Sequence, residues 1–178
     1  MRILAIDPGP EKSAWLVFDC DTMLPMRNFW HLGLAAGIDP NRPVRTTVAA
    51  ASACAVDSVA HLVIEQVEHY GQGMPAGKSV FDTCIAIGRF MEAWGDDELV
   101  CLMPRRTVKL HLCGSVRAKD GNVRQALLDR FPATGGGKTP QVGTKKEPGP
   151  LYGIKSHLWS ALALAVTWAE TKGEDVGS

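Results

Sequence analysis

Two acids stand where an isolated charge is costly. Asp7 closes the apolar run Ile3–Ile6 and is followed by Pro8-Gly9, so it ends a strand at the rim of a sheet. In open α/β sheets, ligands gather outside the carboxyl ends of the parallel strands, and a carboxylate there is within their reach. Glu65 follows Leu62-Val63-Ile64 inside a second strand-like run. A charge there must be paired or bound to a metal to be buried. Two carboxylates on central strands suit Mg²⁺ or Mn²⁺, hard cations that take oxygen ligands and can clamp a phosphate. The bland alternative is that Asp7 caps a turn and Glu65 pairs with an arginine. His157 falls in the last helical stretch, with Ser160 three residues on and so on the same face. Its imidazole could serve as a ligand or base, or simply pack beside Trp159. Tyr70, in a Gly-rich loop just after the Glu65 strand, could stack on an unpaired base or sit half-buried as a loop residue.

Other motifs fail on spacing. Gly77-Lys78-Ser79 and Gly137-Lys138-Thr139 look like the end of a phosphate-binding loop, but its first glycine would fall on Gln72 and Pro132. A nucleotide cofactor is therefore not expected. Glu65, Glu68 and His69 lack the second histidine of a zinc-protease helix. Cysteines at 20, 54, 84, 101 and 113 form no CxxC pair, which excludes zinc-ribbon spacings and makes a disulfide framework a poor expectation. Reduced thiols in a cytoplasmic protein are the simplest reading. The N-terminal MRILAIDPG has no secretory pattern, and the run Leu158–Trp168 is too short for a membrane span.

The elements that must position these residues follow from the apolar pattern. With 178 residues and 46% hydrophobic content, the chain suits one domain with a real core. Strands are expected over Arg2–Ile6, Ser13–Phe18, Arg27–Leu34, His61–Val67 and Leu99–Met103. Helices are expected over Val44–Val59, Ser79–Trp94, Thr107–Cys113, Asp120–Arg130 with Asp120 as N-cap, and Ile154–Thr171. Thr134–Gly149, rich in Gly, Lys and Pro, is expected as a mobile loop. Three strands followed by alternating helices and strands describe a mixed α/β sheet with helices on its faces.

The formal net charge of zero hides an asymmetry. Residues 105–155 hold eleven Lys/Arg against three acids, a net +8, and the rest of the chain carries −8. A basic segment beside an acidic one fits a polyanion-binding enzyme with a carboxylate site.

Taken in order, ILAIDPG, VIEQV, PRRTVKLHLCGSVRAKDGNVRQAL and SHLWSALALA resemble the RuvC family of Holliday junction resolvases. The Gly-, Lys- and Pro-rich loop ending in GPLYGIKSH resembles its phage or prophage branch. The resemblance covers most of the chain and is weakest over residues 20 to 60. It implies an RNase H-like α/β fold with a mixed five-stranded sheet flanked by helices, as a single nuclease domain over 1–172 with a flexible tail at 173–178. It implies a homodimer that binds four-way or related branched DNA and cuts it with two divalent ions, Mg²⁺ or Mn²⁺. By position, Asp7, Glu65 and His157 match the metal-binding catalytic residues. Ser160 matches a fourth place where the family usually carries Asp. A hydroxyl is a poorer ligand than a carboxylate, so the site is weakened, compensated by Glu68 or Asp120, or inactive. The residues expected to contact DNA are Tyr70, Lys78, Arg105, Arg106, Lys109, Lys119, Arg124, Lys145, Lys146 and Lys155. The rival readings are an inactive branched-DNA-binding protein of the same fold and a broader flap or fork nuclease.

Overall fold

The computed structural model describes residues 1–26, 32–36, 59–68 and 77–175. The elements in chain order are β1 (Arg2–Asp7), β2 (Lys12–Asp19), β3 (Leu24–Pro25), β4 (Leu32–Ala36), β5 (Val59–Gln66), α1 (Lys78–Trp94), a 3₁₀ turn (Asp97–Leu99), β6 (Val100–Pro104), α2 (Arg105–Cys113), α3 (Asp120–Arg130) and α4 (Leu158–Asp175).

β2 pairs antiparallel with β1, and β1, β5 and β6 run parallel to one another. β3 and β4 both pair with the outer edge of β2, β3 at Phe18–Asp19 and β4 at Lys12–Leu16. They share one strand position, so the mixed sheet has the five positions expected. The two parallel steps place the carboxyl ends of β1, β5 and β6 side by side at one rim.

The continuous apolar run of β1 is explained by a sheet covered on both faces. Ile3, Leu4, Ala5 and Ile6 are all fully buried. Side chains alternate between faces. Ile3, Ala5, Leu16 and Val63 pack with α2, α3 and α4, while Leu4, Ile6, Leu62 and Ile64 pack with Ala86, Ile87 and Phe90 of α1. α4 is apolar nearly all round because it lies in the larger of the two layers, with Ala161 to Val166 almost wholly buried. Each fully buried leucine there is worth roughly 1.5–3 kcal/mol. No helix among the described residues is long and apolar enough to cross a membrane.

Several boundaries differ from the sequence reading. β4 ends at Ala36, and only its part from Leu32 is described, with residues 27–31 outside the described set. The expected helix Val44–Val59 also lies outside it, except that Val59 already begins β5. α2 starts at Arg105, two residues early, because β6 runs straight into it through Pro104, whose extended ψ of 141° suits the position before a first turn.

α4 starts at Leu158, four residues later than expected. The apolar Ile154 that suggested helix is buried in a turn instead, with Ile154 N–H donating to the Leu151 carbonyl and Ser156 at a positive φ of 49°. The segment 134–149 is a loop, but a cross-linked one rather than the mobile chain expected. Gly135 N–H donates to Pro140 O, Gly136 and Thr144 N–H to Glu147 O, Gly149 N–H to Val142 O, and Leu151 N–H to Gln141 O.

Candidate active site

The parallel pairing of β1 with β5 aligns Ile6 with Ile64, which brings the next residues, Asp7 and Glu65, level at the carboxyl rim. Ile6 and Ile64 pack toward α1, so alternation turns Asp7 and Glu65 to the opposite face, the side of α2 and α4. The sheet thus delivers two carboxylates to one spot from positions 58 residues apart in the chain.

The start of α4 closes the site from above. His157 immediately precedes the helix instead of lying within it, and its carbonyl accepts from the N–H groups of Ser160 and Ala161. His157 Nδ1 stands 3.5 Å from Asp7 Oδ2, with the imidazole 68% exposed and Asp7 only 14%. Ser160, in the first turn, points its hydroxyl at the same centre.

Arg105 is the member that sequence reasoning assigned elsewhere, to DNA contact. Glu65 is level with Met103 on β6, and Arg105 comes two residues later, at the strand-to-helix turn. Its Nη1 lies 2.8 Å from Glu65 Oε2 and donates to Ser160 Oγ at 3.4 Å, and its Nη2 lies 2.7 Å from Asp120 Oδ1. Asp120 is not the helix cap expected. Lys119 holds that position, and Asp120 is the first residue of α3, free to reach Arg105.

Burial pushes the Asp7 carboxyl up from an ordinary 3.8 to about 6, and the neighbouring Glu65 charge adds to the rise. His157, Arg105 and the Ser160 hydroxyl pull the other way. Lost hydration thus disfavours the charged carboxylate more than its neighbours restore it. Burial also works against the Arg105 charge, but Glu65 and Asp120 outweigh it and raise its pKa above the usual value. Asp120 is lowered, chiefly by its hydrogen bond from Arg105. Beside Asp7 and His157 a cleft of about 390 Å³ opens, lined also by Pro8 through Lys12.

The other expected contact residues lie at varied distances from this centre. Tyr70 is outside the described residues. Lys109 is close enough to Asp120 to lower its pKa, and Lys119 is its chain neighbour. Arg106 pairs with Glu68 at 3.1 Å, which gives that acid a cation of its own in place of the compensating role considered for it. Arg124 lies over the Trp159 ring, 4.8 Å from its centroid. Lys145, Lys146 and Lys155 are exposed, the first two on the cross-linked loop and the third two residues before His157. Lys78 opens α1 and pairs with Asp82 at 2.5 Å, on a helix of the opposite face.

In kind, the donors at this rim fit a hard divalent cation: two carboxylate groups, an imidazole and a hydroxyl. The two carboxylates held level at the rim, with His157 3.5 Å from Asp7, are the observation that supports the fit. As they stand, no three His, Cys, Asp or Glu side chains among the described residues converge into a ready cage, and Arg105 draws Glu65 to its own side.

No family model matches the sequence, and no curated protein matches it either. Solved structures do. The chain is similar to the RuvC structure of Thermus thermophilus, with 19% identity, a TM-score of 0.56, and coverage of 98% of this chain and 97% of that one. It is similar also to T. thermophilus RuvC in complex with Holliday junction substrate, with 19% identity, a TM-score of 0.63, and coverage of 98% and 96%. At this identity the likeness speaks for the fold, and it spans both chains almost end to end. The chain therefore has the RuvC-like form of the RNase H-like α/β fold, with Asp7 and Glu65 at the carboxyl rim of its central parallel strands.

Proposed function

We propose that this protein is a divalent-metal-dependent endonuclease that cuts four-way or related branched DNA. The observation that carries the reading is that Asp7 and Glu65 end level on neighbouring parallel strands of a RuvC-like sheet, with His157 3.5 Å from Asp7. Asp7, Glu65 and His157 would hold Mg²⁺ or Mn²⁺. Bound there, the cation would lower the pKa of a water and offset charge on a phosphate. The chain's own groups do the rest. Asp7 lies 3.5 Å from an imidazole that is open to solvent. Arg105 holds Glu65 through its Oε2. Lys109, Lys119 and Lys155 form a basic rim for the backbones of the DNA arms.

A second reading rests on the same site. Arg105 and Ser160 leave it with less negative charge than four carboxylate ligands would give, which favours a protein that binds branched DNA and cuts it slowly or not at all. One experiment separates the readings: incubation of labelled four-way junctions, flaps, forks and linear duplex with the protein in Mg²⁺ or Mn²⁺. Cleavage of the junction that stops with EDTA supports the proposal. Binding without cleavage supports the second reading, and preference for flaps or forks a broader nuclease.

Lys145 and Lys146 test the basic surface. Changing both to Ala removes two phosphate contacts, each worth a slope of about 0.9 in log K against log salt. The salt dependence of junction binding is expected to flatten by about 2 in that slope. An unchanged slope would take the loop out of the interface.

A homodimer would match two sites to two strands. Phe81 and Ile85, one turn apart on α1, are 59% and 54% exposed and offer an apolar contact for a second copy. Phe81→Glu with Ile85→Glu is expected to shift the protein to monomer in sedimentation while leaving its circular dichroism unchanged. A wild-type monomer would refute the dimer directly.

A further inference from the structure

Charge compensation in the site is lopsided. On one flank, Arg105 Nη1 reaches Glu65 Oε2 at 2.8 Å and Ser160 Oγ at 3.4 Å, and Nη2 reaches Asp120 Oδ1 at 2.7 Å. Three elements, β5, α4 and α3, thus meet on one guanidinium. Its planar fork can serve several oxygens at fixed angles, which a lysine ammonium does less well. The side chain is only 24% exposed and leaves from the first residue of α2, so the scaffold itself sets its position. On the other flank, Asp7 faces the exposed His157 at 3.5 Å and the cleft of Pro8 through Lys12.

We infer that Arg105 is a built-in cation standing on the Glu65–Ser160 side, so that the centre takes a single divalent ion, on the Asp7–His157 side. The inference rests on the reading of Asp7 and Glu65 as cation ligands. The charges favour it. Asp7, Glu65 and Asp120 bring three negative charges, and Arg105 with one divalent ion brings three positive. A second divalent ion would leave an excess of two in a partly buried site, where uncompensated charge is expensive. Ser160 adds no charge to attract it, and its hydroxyl already accepts from Arg105. A guanidinium has five N–H donors, so Arg105 also keeps capacity for a phosphate oxygen. Arg105 is then a positioning residue for Glu65 and the electrostatic counterpart of the ion across the site.

The test is Mn²⁺ binding to the full chain, counted by calorimetric titration and by the loss of the free Mn²⁺ paramagnetic resonance signal. Wild type is expected to bind one Mn²⁺ per chain. Ser160→Asp alone is expected to stay at one, because the added carboxylate pairs with Arg105. Ser160→Asp combined with Arg105→Ala is expected to bind two. Two ions on wild type, or on Ser160→Asp alone, would overturn the inference and leave the metal-site reading intact. No Mn²⁺ bound by wild type at millimolar concentration would overturn both. Circular dichroism checks the double variant, and if it does not fold, the wild-type and Ser160→Asp counts decide on their own.

Discussion

Asp7→Asn is expected to abolish junction cleavage and, in the same protein, to raise the melting temperature of the metal-free form. The loss of activity should be at least about a hundredfold, the scale of removing one preorganised electrostatic group from an active site. Junction binding should survive, because the basic rim is untouched. The stability gain follows from the raised Asp7 pKa, about 6 in the fold against an ordinary 3.8. Folding therefore disfavours the charged form. The resulting penalty is absent below about pH 4, grows through the interval to pH 6, and is complete above it. The shift corresponds to about 2–3 kcal/mol at pH 8. Asn, which carries no charge, avoids that penalty, so its advantage should be largest at pH 8 and fade toward pH 4. Mn²⁺ should reverse the ranking by raising the melting temperature of wild type more than that of the variant. Thermal denaturation at pH 4 and pH 8, with and without Mn²⁺, reads all of this. A destabilised Asn variant at pH 8 would mean that Asp7 is a structural cap.

The second large effect is expected in the basic loop. Gly143 has a φ of 76°, and a Cβ there would overlap the Gly149 nitrogen and the Glu147 carbonyl, both backbone atoms of the loop that carries Lys145 and Lys146. Neither can swing away as a side-chain tip could. Gly143→Ala combines left-handed backbone strain with overpacking, together about 3 kcal/mol. In a chain of this size that lowers the melting temperature by about 6–12 °C. The turn ahead of His157 hangs on this loop through the Leu151 N–H to Gln141 O bond, so junction cleavage should fall along with stability. A variant with wild-type melting temperature and activity would show that the loop is slack and unconnected to the site.

The carboxylates were legible because each breaks a pattern. Asp7 stops an apolar run at a turn, and Glu65 sits inside one, and both positions are costly unless something binds there. The sheet was legible for a related reason: strands buried on both faces give continuous apolar runs, as in Ile3–Ile6 and Leu62–Ile64. Arg105 was not legible as a site residue. Its partners Glu65 and Ser160 are 40 and 55 residues away; the register of β5 against β6 brings in the first and the start of α4 the second. Local pattern placed it among the basic residues of its segment, and topology moved it inward.

The start of α4 was misread because burial and helicity are separate properties. Ile154 is buried without being helical. The basic loop was misread because glycine has two uses. Gly135, Gly143 and Gly149 permit close backbone approach rather than freedom, since a Cβ on any of them would meet neighbouring backbone. Tyr70 and the Val44–Val59 helix fall largely outside the described residues, so those expectations stand as they were made.

Asp7, Glu65 and His157 together are proposed to form an ion site. The most direct measurement is the anomalous diffraction of crystals soaked in Mn²⁺. A peak is expected within coordination distance of an Asp7 oxygen, with Glu65 or His157 among the other ligands, and is expected to vanish in Asp7→Asn crystals. A map with no peak at Asp7, or with Mn²⁺ only at other places on the protein, would contradict it.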